Sequence, residues 1–480
     1  MAIDTTLTPS APPPTSPAGG RLSTRDKLVL FVLCAAQFMV ALDFSVLNVA
    51  LPVLGEDLGM SQAGLQWAVT AFALPSGGFL LLFGRMGDLY GRRRLFLTGL
   101  AVFGAASLLA TFAWDPGSFL TGRALQGLGA AAIVPTGMSL LTTTFAEGPA
   151  RDRALGISGT LLSLGFTVGM VAGGVLTDLL TWRSTMGLLS LFALIVLPLA
   201  PGLLPGSRPR DPKTTGGSPD PDRPRLDVPG AVTVTGGLLS LIYALSTAAE
   251  RGFGGADVVA TLIVGVLLLA AFVYVESRTA SPLVSLPMLS RRTVAWGNLG
   301  GLVTFSMMST VVFVLTLYLQ ETLGLSAFRA GLVFGVQGVM SAVAGVYAPK
   351  VIGRFGARRT LVGSLAGQGL FIGALLGVGE GGGSVWLATT AVSLASMCHL
   401  GAIISYGLTV TSGVPDAEQG LATGLVTSTQ QVGLTIGIPL LGVLATTSPD
   451  LLSGVHTVLL LDAAIVLAAS ILVAFGLRRG

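Results

Sequence analysis

The sequence predicts an all-α polytopic membrane protein, and three observations carry that expectation. Of its 480 residues, 52% are hydrophobic and only 10% are charged, against about 25% charged in an average soluble domain. The apolar residues fall in long runs, many of them reaching the roughly 20 residues that carry a helix across a hydrocarbon core. The charges gather between the runs, most densely in GRMGDLYGRRR from Gly84 to Arg94, which holds four arginines and one acid.

Residues 1–27 include APPPTSPAGG and almost no large apolar side chains, so a disordered cytosolic tail is expected there. The first apolar run, from Leu28, is long enough to cross the membrane and is expected to be retained. Fourteen spans are expected near 28–50, 64–84, 95–114, 118–144, 154–177, 185–204, 229–248, 258–276, 293–319, 328–349, 360–379, 385–411, 419–446 and 456–477. An even count puts both ends on one side. With a cytosolic start, 23 of the 27 basic residues fall on inner segments, while Arg183, Arg251 and Arg329 fall on outer loops. Basic residues favour the cytosolic side, so both termini are expected there.

The chain also repeats itself. GRFGARR at Gly353–Arg359 is a shorter copy of the first charged knot. ALGISGTLLSLGFTVGMVAGGVL (154–176) overlays ATGLVTSTQQVGLTIGIPLLGVL (422–444) with a shift of 268, and Gly84–Arg85 overlays Gly353–Arg354 with a shift of 269. Two places giving nearly one shift argue for a duplication, and parallel six-helix repeats are one known transporter architecture. The surplus length corresponds to the spans at 229–248 and 258–276. The expected organisation is a tail at 1–27, a six-helix bundle at 28–204 and a cytosolic linker at 205–228. Two inserted helices at 229–276, a cytosolic loop at 277–292 and a second six-helix bundle at 293–480 follow.

These motifs resemble those of the major facilitator superfamily, specifically its fourteen-helix drug:proton antiporter branch. GRMGDLYGRRR is similar to motif A of the superfamily, with Gly84, Asp88, Gly91, Arg92 and Arg93 at matching positions. LDFSVLNVALP (42–52) resembles the first-helix motif of the branch, and RALQGLGAAAIVP (123–135) resembles motif B. The resemblance implies that the motif A cluster gates the cytosolic ends of two halves, with Asp88 and Arg92 breaking and remaking contacts. Gly353, Arg354 and Gly356 would form the latch of the second half. Gly165, Gly169, Gly173 and Gly174 fit the antiporter motif C, except that Met170 stands where the family has proline. That departure leaves the direction of transport open.

Charges inside a bilayer cost about 2.5–3.5 kcal/mol each on insertion scales, so they mark function or a partner. Asp43 lies about 12 Å from the outer end of the first span and Arg123 about 9 Å into the fourth, at 1.5 Å per residue. The two share a depth. With the family match, Asp43 is expected to carry the proton and Arg123 to tune it; a permanent ion pair that orders the helices is the alternative. Helical spacing places Gln126, Gly127 and Ala130 on the face of Arg123. Asp462, in the last span, lines a cavity or sits near the interface. His399 is expected to be a neutral, hydrogen-bonded core histidine. Met39, Trp67, Met307 and Gln126 join Asp462 as candidate cavity residues, because flexible Met and flat aromatics suit varied apolar ligands.

Absent patterns narrow the class. Cys34 and Cys398 sit inside apolar spans, which gives no disulfide framework or metal motif. No phosphate loop precedes any of the three lysines, and no hydrolase motif is present. The expectation is therefore a non-enzyme without cofactor, driven by a proton gradient. It would export amphipathic, cationic compounds by alternating access as a monomer, touching substrate, protons and lipid but no nucleic acid. Export of one endogenous metabolite or antibiotic is the alternative reading, and proton-coupled import a more distant one. The 24 arginines against 3 lysines fit a high-GC bacterium and thus its plasma membrane.

Overall fold

The computed structural model describes residues 23–145, 149–204, 227–251, 254–279, 286–414, 419–442, 444–445, 448 and 450–478. Most of the expected tail and linker, part of the loop at 277–292, and the side chain of Asp88 lie outside the described residues.

Helix α1 (Thr24–Leu58) starts four residues before the expected span. The cause is a reciprocal cap: Ser23 Oγ accepts from the Asp26 N–H, and the Asp26 carboxylate accepts from the Ser23 N–H. A second span is built from α2 (Gln62–Gly78) and α3 (Leu80–Tyr90), bent by 42° where they meet. Then come α4 (Arg92–Thr111), α5 (Pro116–Thr144), α6 (Pro149–Leu179) and α7 (Trp182–Leu203). Asp115 caps α5, accepting from the Ser118 N–H at 2.6 Å. Hydrogen bonding, foremost from that N–H, holds its carboxyl below the ordinary carboxylate range.

After α8 (Val228–Arg251), α9 (Ala256–Glu276) and the short α10 (Leu286–Leu289), the second set begins. It comprises α11 (Arg292–Leu317), α12 (Ala327–Phe355), α13 (Ala357–Ala374), α14 (Ser384–Thr411), α15 (Gln419–Gly437) and α16 (Leu451–Gly476). Helices α11 and α15 each run on into one π-helical turn, Tyr318–Thr322 and Ile438–Gly442. Among the described residues eleven helices are long and apolar enough to cross a membrane, or twelve with the bent pair as one span. The two other expected spans, in α8 and α15, run over residues whose side chains lie outside the described ones. In α8 the apolar helix covers Val228–Ala244, and α15 carries threonines and glutamines through its middle.

The charged knots, expected as loops, are mostly helical. Gly84 to Tyr90 completes α3, and only Gly91 breaks the chain, with φ 107°. In the second copy Gly353 to Phe355 completes α12, and Gly356 breaks it with φ 81°. The break comes seven residues after Gly84 but three after Gly353, so the second copy is shorter by four residues, about one helical turn. Gly91→Ala should therefore destabilise the protein by about 1–2 kcal/mol, because positive φ strains any side chain with a Cβ. Gly84→Ala should be nearly silent, since its Cβ would meet Pro135 Cβ at an ordinary 3.5 Å. Thermal melting in detergent separates the two.

In the first set α1 packs on α6, α7 and α5, while α5 also packs on α4 and α2. In the second set α11 packs on α15, α14 and α16, and α13 packs on α14 and α16. The sets meet mainly along α6 and α12, and again along α2 and α15. At the end away from the basic knots they are joined by hydrogen bonds. Gln320 Nε2 donates to Val49 O at 2.9 Å, and the Phe328 N–H donates to Asp178 Oδ2 at 3.1 Å. Nearer the basic end of α6, a Cβ on Gly156 or Gly159 would meet nothing within 4 Å among the described residues. Helix α8 lies against α2, through Leu239 on Gly78 and Tyr243 on Trp67. Helix α9 packs on α8 and turns Ile263, Val266 and Leu267 outward.

Candidate functional site

The small residues of α5 decide how closely its neighbours approach. A Cβ on Gly129 would lie 2.8 Å from Gly99 O of α4, and one on Gly127 would strike Phe72 O of α2. With α2 and α4 drawn in so far, the remaining face of α5 presents Arg123 and Gln126 to α1. Sequence depth suggested that Asp43 and Arg123 could meet, and they do. Arg123 Nη1 donates to both oxygens of Asp43, at 2.6 and 2.9 Å.

The pair sits inside the first helical set, with Asp43 0% and Arg123 1% exposed. Such burial is costly unless the remaining donors and lone pairs find partners. Here they do. Arg123 Nε donates to Ala68 O at 3.2 Å, Nη1 donates to Gln126 Oε1 at 2.9 Å, and the guanidinium lies 4.6 Å from the Phe72 ring centroid. Gln126 Nε2 donates to Ser107 Oγ at 2.7 Å, and Ser107 in turn donates to Phe103 O. A further long contact runs from Gln126 Nε2 to Asp43 Oδ1 at 3.4 Å. The site is a buried ion pair held by four helices, α1, α2, α4 and α5.

Motif C lies one helix away. A Cβ on Gly165 would meet Phe38 O of α1 at 2.8 Å, and one on Gly173 would meet Val46 O at 2.7 Å. Gly169 is pressed on Ser45 and Leu42, so three of the four glycines face α1. Gly174 faces α12 instead, where a Cβ would lie 2.6 Å from Ala327 O. Met170 is buried in that same seam, its carbonyl 2.8 Å from a Cβ on Gly331. In the second set Gly433 and Gly437 press on Leu302, Phe305 and Ser306 of α11. The duplicated stripe thus makes a duplicated contact, α6 on α1 and α15 on α11.

The other named residues are placed as follows. Gly84 and Gly87 pack on Pro135 and Thr136 of α5. Arg92 begins α4 next to Gly91, and its neighbour Arg93 donates to Pro201 O at the end of α7. In the second knot, Gly353 and Gly356 have open space beside them, and the Arg354 guanidinium lies 5.5 Å from the Phe355 ring. Four of the five expected cavity residues are buried in this conformation. Met39, Met307, Gln126 and Asp462 are all buried in helix packing, with no face on open space. Tight approach of small-residue helices closes over them. Trp67 is half-buried, 5.9 Å from Tyr243 of the inserted α8.

Some polar groups were not singled out by the sequence reading. Ser107 and Ala68 O complete the shell of the ion pair, beside the Phe72 ring. In the second set, Thr304 Oγ1 donates to Gln368 Oε1 and lies 2.8 Å from His399 Nδ1. The Phe305 ring stands edge-on to the His399 ring at 5.3 Å. His399 is thus hydrogen-bonded, as expected, and Gln368 is fully buried. A lone Gln amid an apolar helix was the available signal. Among the described residues no group of three His, Cys, Asp or Glu side chains is placed to hold a metal ion.

The Major Facilitator Superfamily profile matches residues 33–437 and again 298–480. The cephamycin export protein of Amycolatopsis lactamdurans is 39% identical over 86% of this chain and 83% of its own length. The puromycin resistance protein of Streptomyces alboniger is 37% identical over 87% of this chain and 81% of its own. A multidrug efflux pump of Mycolicibacterium smegmatis is 29% identical over 90% and 83%. Among solved structures, the POT family transporter PepTSo covers 94% of this chain and 98% of its own with a TM-score of 0.70. At 14% identity that likeness speaks for the fold alone. The chain belongs to the major facilitator superfamily, among its drug and antibiotic efflux transporters, and is a transporter rather than an enzyme.

Proposed function

We propose that this chain is a proton-driven efflux antiporter for bulky amphipathic antibiotics, cationic ones among them. It would work by alternating access as a monomer in the plasma membrane of a bacterium. The basic end, with both termini, faces the cytosol in this reading, and α8 and α15 complete fourteen spans. The domain limits are those expected from the sequence, two six-helix bundles at 28–204 and 293–480 with two inserted helices at 229–276. The charge bias across the loops supports this orientation.

The observation that carries the reading is the buried Asp43–Arg123 pair on the helix that motif C presses upon. A carboxylate whose counter-charge sits on another helix can exchange that partner for a proton when the helices shift. The contacts at Gln320 and Asp178 then correspond to a state closed outside, with Asp43 paired. Gly84, Asp88, Gly91 and Arg92, with Gly353, Arg354 and Gly356, would hold the cytosolic ends in the alternate state. A dedicated exporter is the second reading, favoured because the relatives at 39% and 37% identity are each named for one antibiotic.

The test uses inverted membrane vesicles energised by respiration, with lumen pH followed as tetraphenylphosphonium, ethidium, puromycin or a cephamycin is added. Proton release on addition, lost in Asp43→Asn, is the expected result. Release that persists in Asp43→Asn would place coupling elsewhere, and release with one antibiotic alone would favour the dedicated exporter. No release with any compound would overturn proton antiport of these substrates.

A further inference from the structure

Two aspartates lie deep in the spans, and the structure treats them oppositely. Asp43 meets a guanidinium. Asp462 on α16 is equally buried, at 0% exposure, yet neither carboxylate oxygen has a hydrogen-bond partner among the described residues. It stands eleven residues from the start of α16, about 16 Å along the helix and so near mid-span. Its sequence neighbours are Leu459 to Leu461 on one side and Ala463 to Ile465 on the other. Next to it α13 comes close: a Cβ on Gly369 would lie 3.2 Å from Ala463 O, and one on Gly373 would lie 3.9 Å from Ala463 Cβ.

The ionisable groups on the elements packed against α16 are engaged or distant in sequence register. Arg358 of α13 donates to Ala474 O, three turns away along α16. The Tyr318 hydroxyl, on the π-turn after α11, donates to Gly379 O at 2.6 Å, and Glu321 lies in that same turn. Arg359 and Arg292 sit at the basic starts of α13 and α11. On α16 itself, His456 Nε2 lies 2.9 Å from Val378 O. Among the described residues none of these groups hydrogen-bonds to Asp462.

An ionised carboxylate held without counter-charge or donor costs several kcal/mol, and attaching a proton removes most of that cost. We propose that Asp462 is a proton-binding site in the second helical set, loaded in this conformation. One aspartate is neutralised by a cation and the other by a proton. When the packing of α16 on α11 and α13 loosens, water can reach the group. The O–H bond then breaks heterolytically, the proton passes to water and a hydrated carboxylate remains. Under the shift of 268 the first-half counterpart is Leu194, so this site belongs to one half only. Its part in transport rests on the antiport reading above; its protonation does not.

The test is infrared spectroscopy of the full chain in lipid nanodiscs at neutral pH, in H₂O and D₂O. A protonated carboxylic acid gives a C=O stretch that shifts on deuteration. The band should be present in the native protein, lost in Asp462→Asn, retained in Asp43→Asn and moved in frequency in Asp462→Glu. A native protein without the band, or a band unchanged in Asp462→Asn, overturns the proposal. Should the Asn variant not fold, Asp462→Glu decides, and an unmoved band there also overturns it. A silent vesicle assay with the band still assigned to Asp462 would overturn proton antiport and leave the proton site standing.

Discussion

Arg123→Ala should destabilise the protein by about 3–5 kcal/mol, the usual consequence of leaving a buried charge without its partner. The geometry explains why relief is not at hand. Asp43 is fully buried, and among the described residues the other donor recorded beside it is Gln126 Nε2, whose second N–H goes to Ser107 at 2.7 Å and whose contact to Oδ1 is a long 3.4 Å. The Ala68 carbonyl also loses its donor, and the Phe72 ring loses the flat cation above it. Asp43→Asn should cost less, because the guanidinium keeps Gln126, Ala68 O and Phe72.

The revealing variant is the double one, Asp43→Asn with Arg123→Met. An apolar chain of similar volume in place of a buried pair is often neutral or better for stability. Melting temperature should therefore recover well above that of Arg123→Ala, while proton-linked transport should not. Additive losses across the double-mutant cycle would show that the two side chains do not interact in the membrane. Recovered stability together with recovered transport would make the pair a structural fastening and nothing more.

How much of this site was legible beforehand depends on what each step needs. Depth follows from 1.5 Å per residue, so Asp43 and Arg123 could be placed level from their positions in two spans. Contact needs the rotation of each helix, and that is fixed by which small residues face which neighbour. The sequence shows Gly127 and Gly129 but cannot say that one turns to α2 and the other to α4. Ser107 and Ala68 O stayed hidden for the same reason. The charged knots misled in another way. Four arginines look like a loop, yet arginine is a good helix former, and a single positive-φ glycine makes the turn. Sequence alone does not choose a cavity lining, because residues such as Met39 and Met307 fill a helix seam as readily as they line a binding surface.

The second large effect is expected at the duplicated glycine stripe. Gly169→Ala drives a methyl onto Ser45 Oγ and within 2.9 Å of Leu42 O, and Gly437→Ala drives one onto Ser306 O and within 2.5 Å of Ser309 Oγ. Backbone carbonyls cannot step aside as a flexible side chain can, so α6 must part from α1, and α15 from α11. Overpacking of this kind costs about 1–3 kcal/mol, occasionally more. Gly156→Ala, with nothing within 4 Å among the described residues, is the matched control and should melt like the native protein. The two lesions touch different helix pairs, so their costs should add to within about 0.5 kcal/mol. Their effects on transport should differ. Leu42 precedes Asp43, so a methyl that pushes on Leu42 also shifts the carboxylate against Arg123. Gly437 presses instead on Ser306 of α11, which precedes Met307. Equal losses of melting temperature with proton coupling lost only in Gly169→Ala would show that motif C sets the position of the ion pair. Equal loss of coupling in both would mean that close packing of either half suffices to explain the motif, and the stripe would then have a structural role alone.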